Sequence, residues 1–405
     1  MGLDYSMVFL IPNNKKEQIY DYIKSNGSFY GKDRSSCSLK FSIDYNVIKY
    51  IQGWKEWKIE QSFEDDHDLS CFIENESDCC WIIPKEYDNC NGKITSEFKA
   101  EIGGFDIYDK QYKDHSLIKI TAVTSDMSQL ISVSLSAYNW LIECCKYTEA
   151  KLGYIDMETY GSRILYYNNK SLNLLLDGNS HIEMERNDFI SMMSLFKQSL
   201  NGTNKSIVFI IANNKKRKIY DYIKSNGLYS NDDKRSCSLE FDIDYNIIRY
   251  LQGWDTWKIT RRWELDNGIK NYRDFIEGHS KISKGNNNIY GHITQNLKAQ
   301  VDGIKINETK LNSYTKFEFE VSGRNMVSLI ENSLSIHTWF IECCKYAEVD
   351  LGYIAVRSEE NRILYYNQKA LNLLLVGEEA LKMQFDDFIS IMITFKDILD
   401  LDYEF

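Results

Sequence analysis

One feature constrains the fold more than any other: a stretch of about 200 residues occurs twice in this 405-residue chain. The first copy begins SMVFLIPNNKKEQIYDYIKSNG at Ser6, and the second begins SIVFIIANNKKRKIYDYIKSNG at Ser206. A repeat of this length is a domain, because the units of a solenoid are only about 20–50 residues long. We therefore predict two domains, 1–203 and 204–405, joined near Gly202.

Two fused copies are most simply arranged as a pseudo-dimer within one chain, analogous to a homodimer with two related patches. Separate domains on a flexible string are the alternative. The join reads QSLNGTNK, and its shortness favours direct packing of the copies. A repeat of this length buries roughly 70% of the surface that its unfolded chain exposes, so each copy is long enough to hold its own core.

Hydrophobic patterning predicts an α+β fold for each copy. The opening apolar run is typical of a central strand, and we expect Asn13 or Asn14 to cap the helix that follows and Gly27 to end it. Alternating apolar residues at 37–43 predict a half-buried strand. Further strand patterns fill the middle of each copy, and helical patterns fill its end, which is the order typical of α+β domains.

Three further local predictions follow from residue patterns. A helix of about 24 residues is predicted to begin at Asp126 and again at Asn325, both good N-cap residues. The glycine-containing pieces EIGGFD and QVDGIK are interpreted as hairpin turns. The stretch WKEWKI, which follows Gly53, is interpreted as another strand.

The two copies diverge in one segment each. Residues 60–92 are strongly acidic, whereas residues 260–291 have lost all four cysteines of the first segment and gained basic residues. The patterns on both sides of the segments remain alike. Drift of an exposed loop explains this difference, and so does the presentation of two different binding loops on one scaffold.

Composition and charge limit the partners and the compartment. The net charge of −11 opposes binding to nucleic acid, which needs clustered basic residues, and the run NNKKRK at 213–218 is interpreted as a solvated helix face. The longest apolar stretches are too short to span a bilayer, and the start does not resemble a signal peptide. Six of the ten cysteines occupy three matched positions and are expected to be reduced core thiols. We expect a cytoplasmic protein that does not bind a membrane.

No metal, cofactor or catalytic residue is predicted. Cys71, Cys79, Cys80 and Cys90, with His67 nearby, do not have the paired short spacing that zinc sites use. None of the six histidines recurs at a matched position, and no phosphate-binding or nucleotide-binding glycine motif is present.

Polar and aromatic residues that recur in both copies are the candidate binding residues. Tyr, Trp and Arg dominate interface hot spots, although Trp also completes cores and Asp or Asn at a strand end often makes a turn. The candidates are Asp44, Asn46, Trp54, Trp57, Arg163 and Tyr167 in the first copy and Asp244, Asn246, Trp254, Trp257, Arg362 and Tyr366 in the second.

We therefore predict a non-catalytic binding protein, with a toxin-neutralising immunity protein or an inhibitor from a bacterial or phage conflict system as the leading hypothesis. The partner is expected to be another protein, and the acidic charge suits a basic one. One alternative is an enzyme whose site lies in a cleft between the copies. Another is a small-ligand sensor or sponge with one pocket per copy.

Overall fold

The structure is a computed structural model of the chain. It describes residues 4–52, 92–97, 99–177, 184–200, 205–252, 291–294, 296, 298–357, 360–377, 383 and 385–402. The predicted strand WKEWKI and both divergent segments lie outside the described residues, apart from the edges of the segments.

Within the described part of the first copy, strands and helices alternate irregularly along the chain. They are β1 (Ser6–Pro12), α1 (Lys16–Ser25), β2 (Gly27–Tyr30), β3 (Ser36–Ser42), α2 (Tyr45–Gln52), β4 (Gly92–Ile94), β5 (Lys99–Gln111), β6 (His115–Ala122), α3 (Ser125–Val133), α4 (Leu135–Tyr147), β7 (Leu152–Asp156), β8 (Ser162–Tyr167), β9 (Lys170–Leu176) and α5 (Arg186–Ser199).

The second copy repeats this order of elements. They are β10 (Ser206–Ala212), α6 (Arg217–Ser225), β11 (Gly227–Tyr229), β12 (Ser236–Phe241), α7 (Tyr245–Gln252), β13 (Gly291–Ile293), β14 (Ala299–Leu311), β15 (Tyr314–Glu320), α8 (Arg324–Asn332), α9 (Leu334–Ala347), β16 (Leu351–Arg357), β17 (Glu360–Tyr366), β18 (Lys369–Val376) and α10 (Phe385–Asp402). The predicted mixture of helices and strands is confirmed.

The first strand of each copy lies at the centre of its sheet. β1 pairs antiparallel with β6 on one side and β7 on the other, and β10 pairs in the same way with β15 and β16. Val8 and Phe9 point to opposite faces, as successive strand residues do, and both are fully buried. Burial on both faces explains why this strand is a continuous apolar run rather than an alternating one.

The chain forms two compact units. The first unit comprises Met1–Asn179 with Asp386–Phe405, and the second comprises Ser180–Phe385. The last helix of each sequence repeat therefore belongs to the unit built from the other repeat. This division concerns packing, and the sequence boundary near residue 203 stays a prediction.

In the first unit, helices cover both faces of the sheet. Trp140 of α4 packs edge-on against Phe9 on one face, with ring centroids 6.5 Å apart. On the other face, Phe395 of α10 packs edge-on against Tyr154 of β7 at 5.1 Å. Phe395 of the last helix thus covers Tyr154, which is fully buried.

The second unit is built in the same way from its own residues. Phe209 of β10 packs against Phe340 of α9 at 4.7 Å between ring centroids. On the opposite face, Tyr353 meets Phe196 of α5 edge-on at 4.9 Å. The Tyr353 hydroxyl also lies 3.1 Å from the hydroxyl of Ser199, which fixes the register of that helix on the sheet.

The predicted helices of about 24 residues are each two helices, so that prediction was wrong. The backbone is extended at Ser134, between α3 and α4, and at Ser333, between α8 and α9. Each serine side chain accepts a hydrogen bond from the amide three residues later and so caps a new helix. The first helix of the pair is capped by Thr124 rather than by Asp126.

Two smaller predictions were also wrong. The EIGGFD glycines lie inside β5, where one extra residue between Ile102 and Phe105 forms a bulge, and Gly104 has the positive φ of 87° that such a bulge needs. Neither Asn13 nor Asn14 caps α1, which begins after Lys15 without a side-chain cap. The side-chain amide of Asn13 instead donates to the carbonyl of Tyr112, 2.8 Å away, and ties the end of β1 to the β5–β6 hairpin.

None of the helices within the described residues is both long enough and apolar enough to cross a membrane.

Candidate functional site

The break between α3 and α4 gathers several of the recurring polar residues. We call this group the helix-break cluster. In the first unit its members are Asp44, Ser134, Tyr138 and Arg163, and in the second unit they are Asp244, Ser333, His337 and Arg362. The structure therefore brings the predicted aspartate and arginine of each copy together.

Asp44 forms the centre of the cluster in the first unit. One carboxylate oxygen accepts a hydrogen bond from the amide of Val47 at 2.8 Å and so caps α2. The other accepts the Ser134 hydroxyl at 2.6 Å and the Ser136 amide at 2.9 Å. A single carboxylate thus satisfies amides at the starts of two helices, where unpaired amides and the helix dipole favour a negative charge.

Asp244 makes the same bonds in the second unit. It accepts the Ile247 amide at 2.9 Å, the Ser333 hydroxyl at 2.7 Å and the Ser335 amide at 3.0 Å. The agreement to about 0.1 Å between two copies of different sequence identifies this carboxylate as part of the scaffold.

Arg163 lies on the other side of the cluster. Its guanidinium carbon is 5.4 Å from the centre of the Tyr138 ring, and one of its terminal nitrogens donates to the Asn173 side chain at 2.8 Å. The Tyr138 hydroxyl donates to the carbonyl of Ser132, at the end of α3. Burial raises the pKa of Tyr138 and Asp44 raises it further, whereas Arg163 opposes the shift, so the phenol stays protonated.

The second unit has a histidine where the first has Tyr138. His337 lies 3.0 Å from the carbonyl of Ile330, the same kind of contact that Tyr138 makes with Ser132. Burial lowers the pKa of His337 to about 4, with a further contribution from Arg362. The imidazole is therefore neutral at physiological pH and serves as a hydrogen-bonding side chain.

The other predicted binding residues lie beside the helix breaks, at strand ends or outside the described residues. Asn46 donates to the carbonyl of Val133, the last residue of α3, at 3.2 Å, and Asn246 donates to that of Asn332, the last residue of α8, at 2.9 Å. Tyr167 and Tyr366 are buried at the ends of β8 and β17, away from the breaks. Four predicted binding residues lie outside the described residues: Trp54, Trp57, Trp254 and Trp257.

The helix-break cluster fixes the helix that leads into each divergent segment. Asp44 holds the start of α2, which ends at Gln52, and the described chain resumes with β4 at Gly92. In the second unit, Asp244 holds α7, and the chain resumes with β13. The recurring polar residues therefore anchor the base of a variable insertion in both copies.

A depression of about 520 Å³ lies beside the point where the chain of the first unit resumes. Gly92, Lys93 and Glu101 contribute to its lining. The Ser38 hydroxyl donates to Glu101 at 2.7 Å, and this bond, together with Lys93 at 3.6 Å, lowers the pKa of the Glu101 carboxyl. In the second copy the matching residue is Gln300, so this charge belongs to the first copy alone.

Sequence reasoning missed the serines of the cluster. The signal that identifies them is the piece SLS, which occurs at 134–136 and again at 333–335 inside otherwise apolar helical patterns. Serine is a poor residue for a helix interior and a good one for a helix start. Its recurrence at the same place in both copies therefore indicates two shorter helices.

The cysteines of the described residues are core side chains. Cys37, Cys144 and Cys145 are buried and unpaired, as are their counterparts in the second copy. Burial raises the pKa of each thiol, to about 12 at Cys37, so these thiols are protonated and unreactive. Across the described ranges, no group of His, Cys, Asp and Glu is arranged to hold a metal ion. Cys71, Cys79, Cys80 and Cys90 lie outside those ranges.

No protein-family model matches the chain, and no curated protein sequence or solved structure shows significant similarity to it.

Proposed function

We propose that the chain is a non-catalytic binding protein that presents one divergent segment on each of two copies of the same scaffold. The observation that carries this proposal is the anchoring of α2 and α7. In both units a carboxylate bridges two helix starts with almost the same distances, and one of the two helices is the last described element before the segment that differs. A fixed base below a variable insertion is the arrangement that binding loops commonly use.

The finer proposal is a toxin-neutralising immunity protein or an inhibitor whose partner is a basic protein. The strongly acidic segment at 60–92 and the net charge of −11 support this choice, because charge complementarity steers association and disfavours wrong partners. The basic residues of 260–291 give the second copy a different charge. The two copies therefore suit two different patches of one partner or two partners.

We further propose that the copies work as an intrachain pseudo-dimer in the cytoplasm. The pseudo-dimer is supported by the assignment of each copy's last helix to the unit of the other copy. The cytoplasmic location is supported by the buried free thiols of the described residues, because oxidising compartments favour disulfides.

The test is affinity capture of a partner by the tagged full-length chain from its native host, with the captured protein identified by mass spectrometry. In the decisive variant, residues 60–92 are replaced by the sequence of 260–291, which keeps the scaffold and changes only the insertion. The proposal expects this chimaera to lose a partner that the wild-type chain captures.

The matched control reverses charge elsewhere in the first unit. Asp21→Lys and Glu143→Lys change exposed helical carboxylates outside the segment, and this double variant should keep the partner. Capture that survives in the chimaera, or that is lost equally in the control, contradicts the proposed role of the segment.

A further inference from the structure

A cleft of about 750 Å³ lies against α6 in the second unit. Its lining includes Arg217, Tyr220, Lys224, Leu228, Tyr229 and Lys234. This volume is within the range that small-molecule sites occupy, roughly 300–1,000 Å³. All of these residues come from one continuous stretch of chain that forms α6, β11 and the turn after them.

Lys234 is held over two aromatic rings of this cleft. Its ammonium lies 5.3 Å from the centre of the Tyr220 ring and 5.8 Å from that of Tyr229. The backbone of Lys234 is left-handed, with φ of 56°, and Arg34 of the first copy has the same conformation. The turn therefore holds a cation at a fixed place beside the rings, where the cation–π attraction helps to keep it.

The cleft carries uncompensated positive charge. Arg217 is 90% exposed, and its Nε lies 4.0 Å from Asp221. Within the described part of the chain, neither Lys224 nor Lys234 forms an ion pair with a carboxylate. By contrast, Lys216 at the edge of the cleft is paired with Glu308 at 3.3 Å. Asp221, which also lines the cleft, offsets part of the charge of Arg217. Among the described residues of the lining, Lys224 and Lys234 are therefore the two unpaired cations, and the lining keeps a net positive charge.

At the matching place in the first copy, the charge of the turn cation is neutralised by a carboxylate. Glu17 occupies the position of Arg217 and pairs with Arg34 at 3.0 Å. The guanidinium of Arg34 still lies 5.3 Å from the Tyr20 ring. The duplicated backbone, tyrosine and cation are therefore kept, whereas the change from glutamate to arginine reverses the charge at this one position.

The second copy also has more apolar and aromatic surface at this place. Leu228 is 61% exposed, and the matching residue of the first copy is Ser28. Tyr229 replaces Phe29, and its hydroxyl donates to the Tyr220 carbonyl at 3.0 Å. Because that hydroxyl is occupied, the ring and the neighbouring leucine offer contact area rather than further hydrogen bonds.

We propose that this cleft binds a phosphorylated small molecule of nucleotide size, with its phosphates on Arg217, Lys224 and Lys234 and its apolar or planar portion against Leu228. Guanidinium and ammonium groups are the side chains that recognise phosphate. The net charge of −11 disfavours a long nucleic acid as the ligand. This inference is independent of the proposed protein partner, because it concerns residues outside both divergent segments.

The direct test is calorimetry on the full-length chain with ATP, inorganic tripolyphosphate and adenosine as probes, at about 50 mM salt to limit screening. Binding of ATP and tripolyphosphate without binding of adenosine supports the site. Tighter binding of ATP than of tripolyphosphate supports the role of Leu228, whereas equal binding overturns that part of the proposal. Absence of binding of both anions overturns the site, and tighter binding of a single-stranded oligonucleotide than of ATP overturns the small-molecule class.

The decisive variants use the first copy as an internal control. Arg217→Glu restores the residue found at position 17, so it preserves a backbone that already tolerates glutamate, and it should weaken ATP binding by about tenfold or more. Lys224→Glu should weaken binding by a similar factor. Lys24→Glu makes the same change at the matching position of α1 and should alter binding by less than about twofold. Equal losses in Lys224→Glu and Lys24→Glu would overturn the site, because they would indicate a general charge effect, and melting curves of all three variants exclude unfolding as the cause.

Discussion

The two copies carry opposite charges at one place on the same backbone. At the start of α1, Glu17 neutralises Arg34, whereas at the start of α6, Arg217 pairs with Asp221 on its own helix and shares a cleft with Lys234. The left-handed turn residue and the tyrosine beneath it are alike in both copies. The backbone has therefore stayed the same after the duplication, while exposed side chains at this place have diverged. Such divergence permits separate functions, because function resides in sites and not in the fold.

The buried residues of the two copies differ less than these exposed ones do. The bonds around Asp44 and Asp244 match almost completely. On the central sheet, however, the second unit buries an ion pair between Lys316 and Glu318, 3.1 Å apart. The strand register places Leu117 of the first unit at the position of Lys316. Exchanging residues at these matched positions tests how much the stability of each unit depends on the residues that it has there.

The largest effect is expected from Lys316→Leu, which imports the residue of the first copy. It leaves the Glu318 carboxylate buried without its ammonium, and removal of one partner of a buried pair typically costs about 3–5 kcal/mol. Urea denaturation of the full chain, followed by fluorescence, measures the change in the free energy of unfolding.

The double variant Lys316→Leu with Glu318→Lys is its control, because it reproduces both Leu117 and Lys119 of the first copy. We expect it to recover most of the loss. Equal destabilisation by the single and double variants would mean that the lost charge pairing is not the cause.

The next effect is expected from Asp44→Ala and Asp244→Ala. Each change leaves one serine hydroxyl and two helix-start amides without their acceptor, at a cost of about 2–3 kcal/mol. The same urea measurement applies, with the exposed Asp21→Ala as the control. Similar losses in both copies support a shared scaffold role, and a loss in only one copy would break the equivalence of the two clusters.

A smaller effect, which depends on pH, is expected at His337. Its pKa in the folded chain is about 4, below the usual value of about 6.5 in an unfolded chain. Between those two values the unfolded state binds more protons, so stability is complete above about pH 6.5 and falls as the pH drops toward 4. Because His337 is only partly buried, solvent screening reduces the expected loss to about 1–2 kcal/mol.

The variant His337→Tyr copies Tyr138 of the first unit and should remove this part of the acid sensitivity. Melting temperatures recorded from pH 7 to pH 4 compare it with the wild type and with His292→Gln, a change at an exposed strand residue. Identical pH profiles for wild type and His337→Tyr would contradict the assignment.

The smallest effect is expected from Glu17→Arg, which gives the first copy the arginine of the second. It breaks an ion pair whose side chains are 75% and 50% exposed, and such pairs contribute about 0–1 kcal/mol. Thermal melting should therefore change by little. A large loss of stability would show that this ion pair is structural and would weaken the comparison on which the anion cleft rests.

The sequence predicts the parts of the fold that depend on local patterning. The apolar run of β1 and the alternation of β3 were sufficient because central and half-buried strands differ in period. The break at Ser134 was missed because apolar spacing continues across it, and the decisive contact is with Asp44, 90 residues away. The bulge at Gly104 was missed because glycine marks turns and bulges alike.

The candidate site was predictable only in part. Recurrence selected Asp44, Arg163 and their counterparts, and the structure does bring each pair together. Recurrence could not select Arg217, because the matching residue of the first copy is Glu17 and only the difference between the two marks this position. The role of the tryptophans at 54, 57, 254 and 257 stays a prediction, since they lie outside the described residues.

The assignment of α10 to the first unit sets an order of events during translation. The ribosome makes residues 386–405 roughly 200 residues after the rest of that unit has emerged. At about 5–20 residues per second, the nascent N-terminal half waits roughly 10–40 s for the helix that shields Tyr154. A premature stop codon before residue 386 would therefore remove a helix from the unit whose other residues were synthesised first.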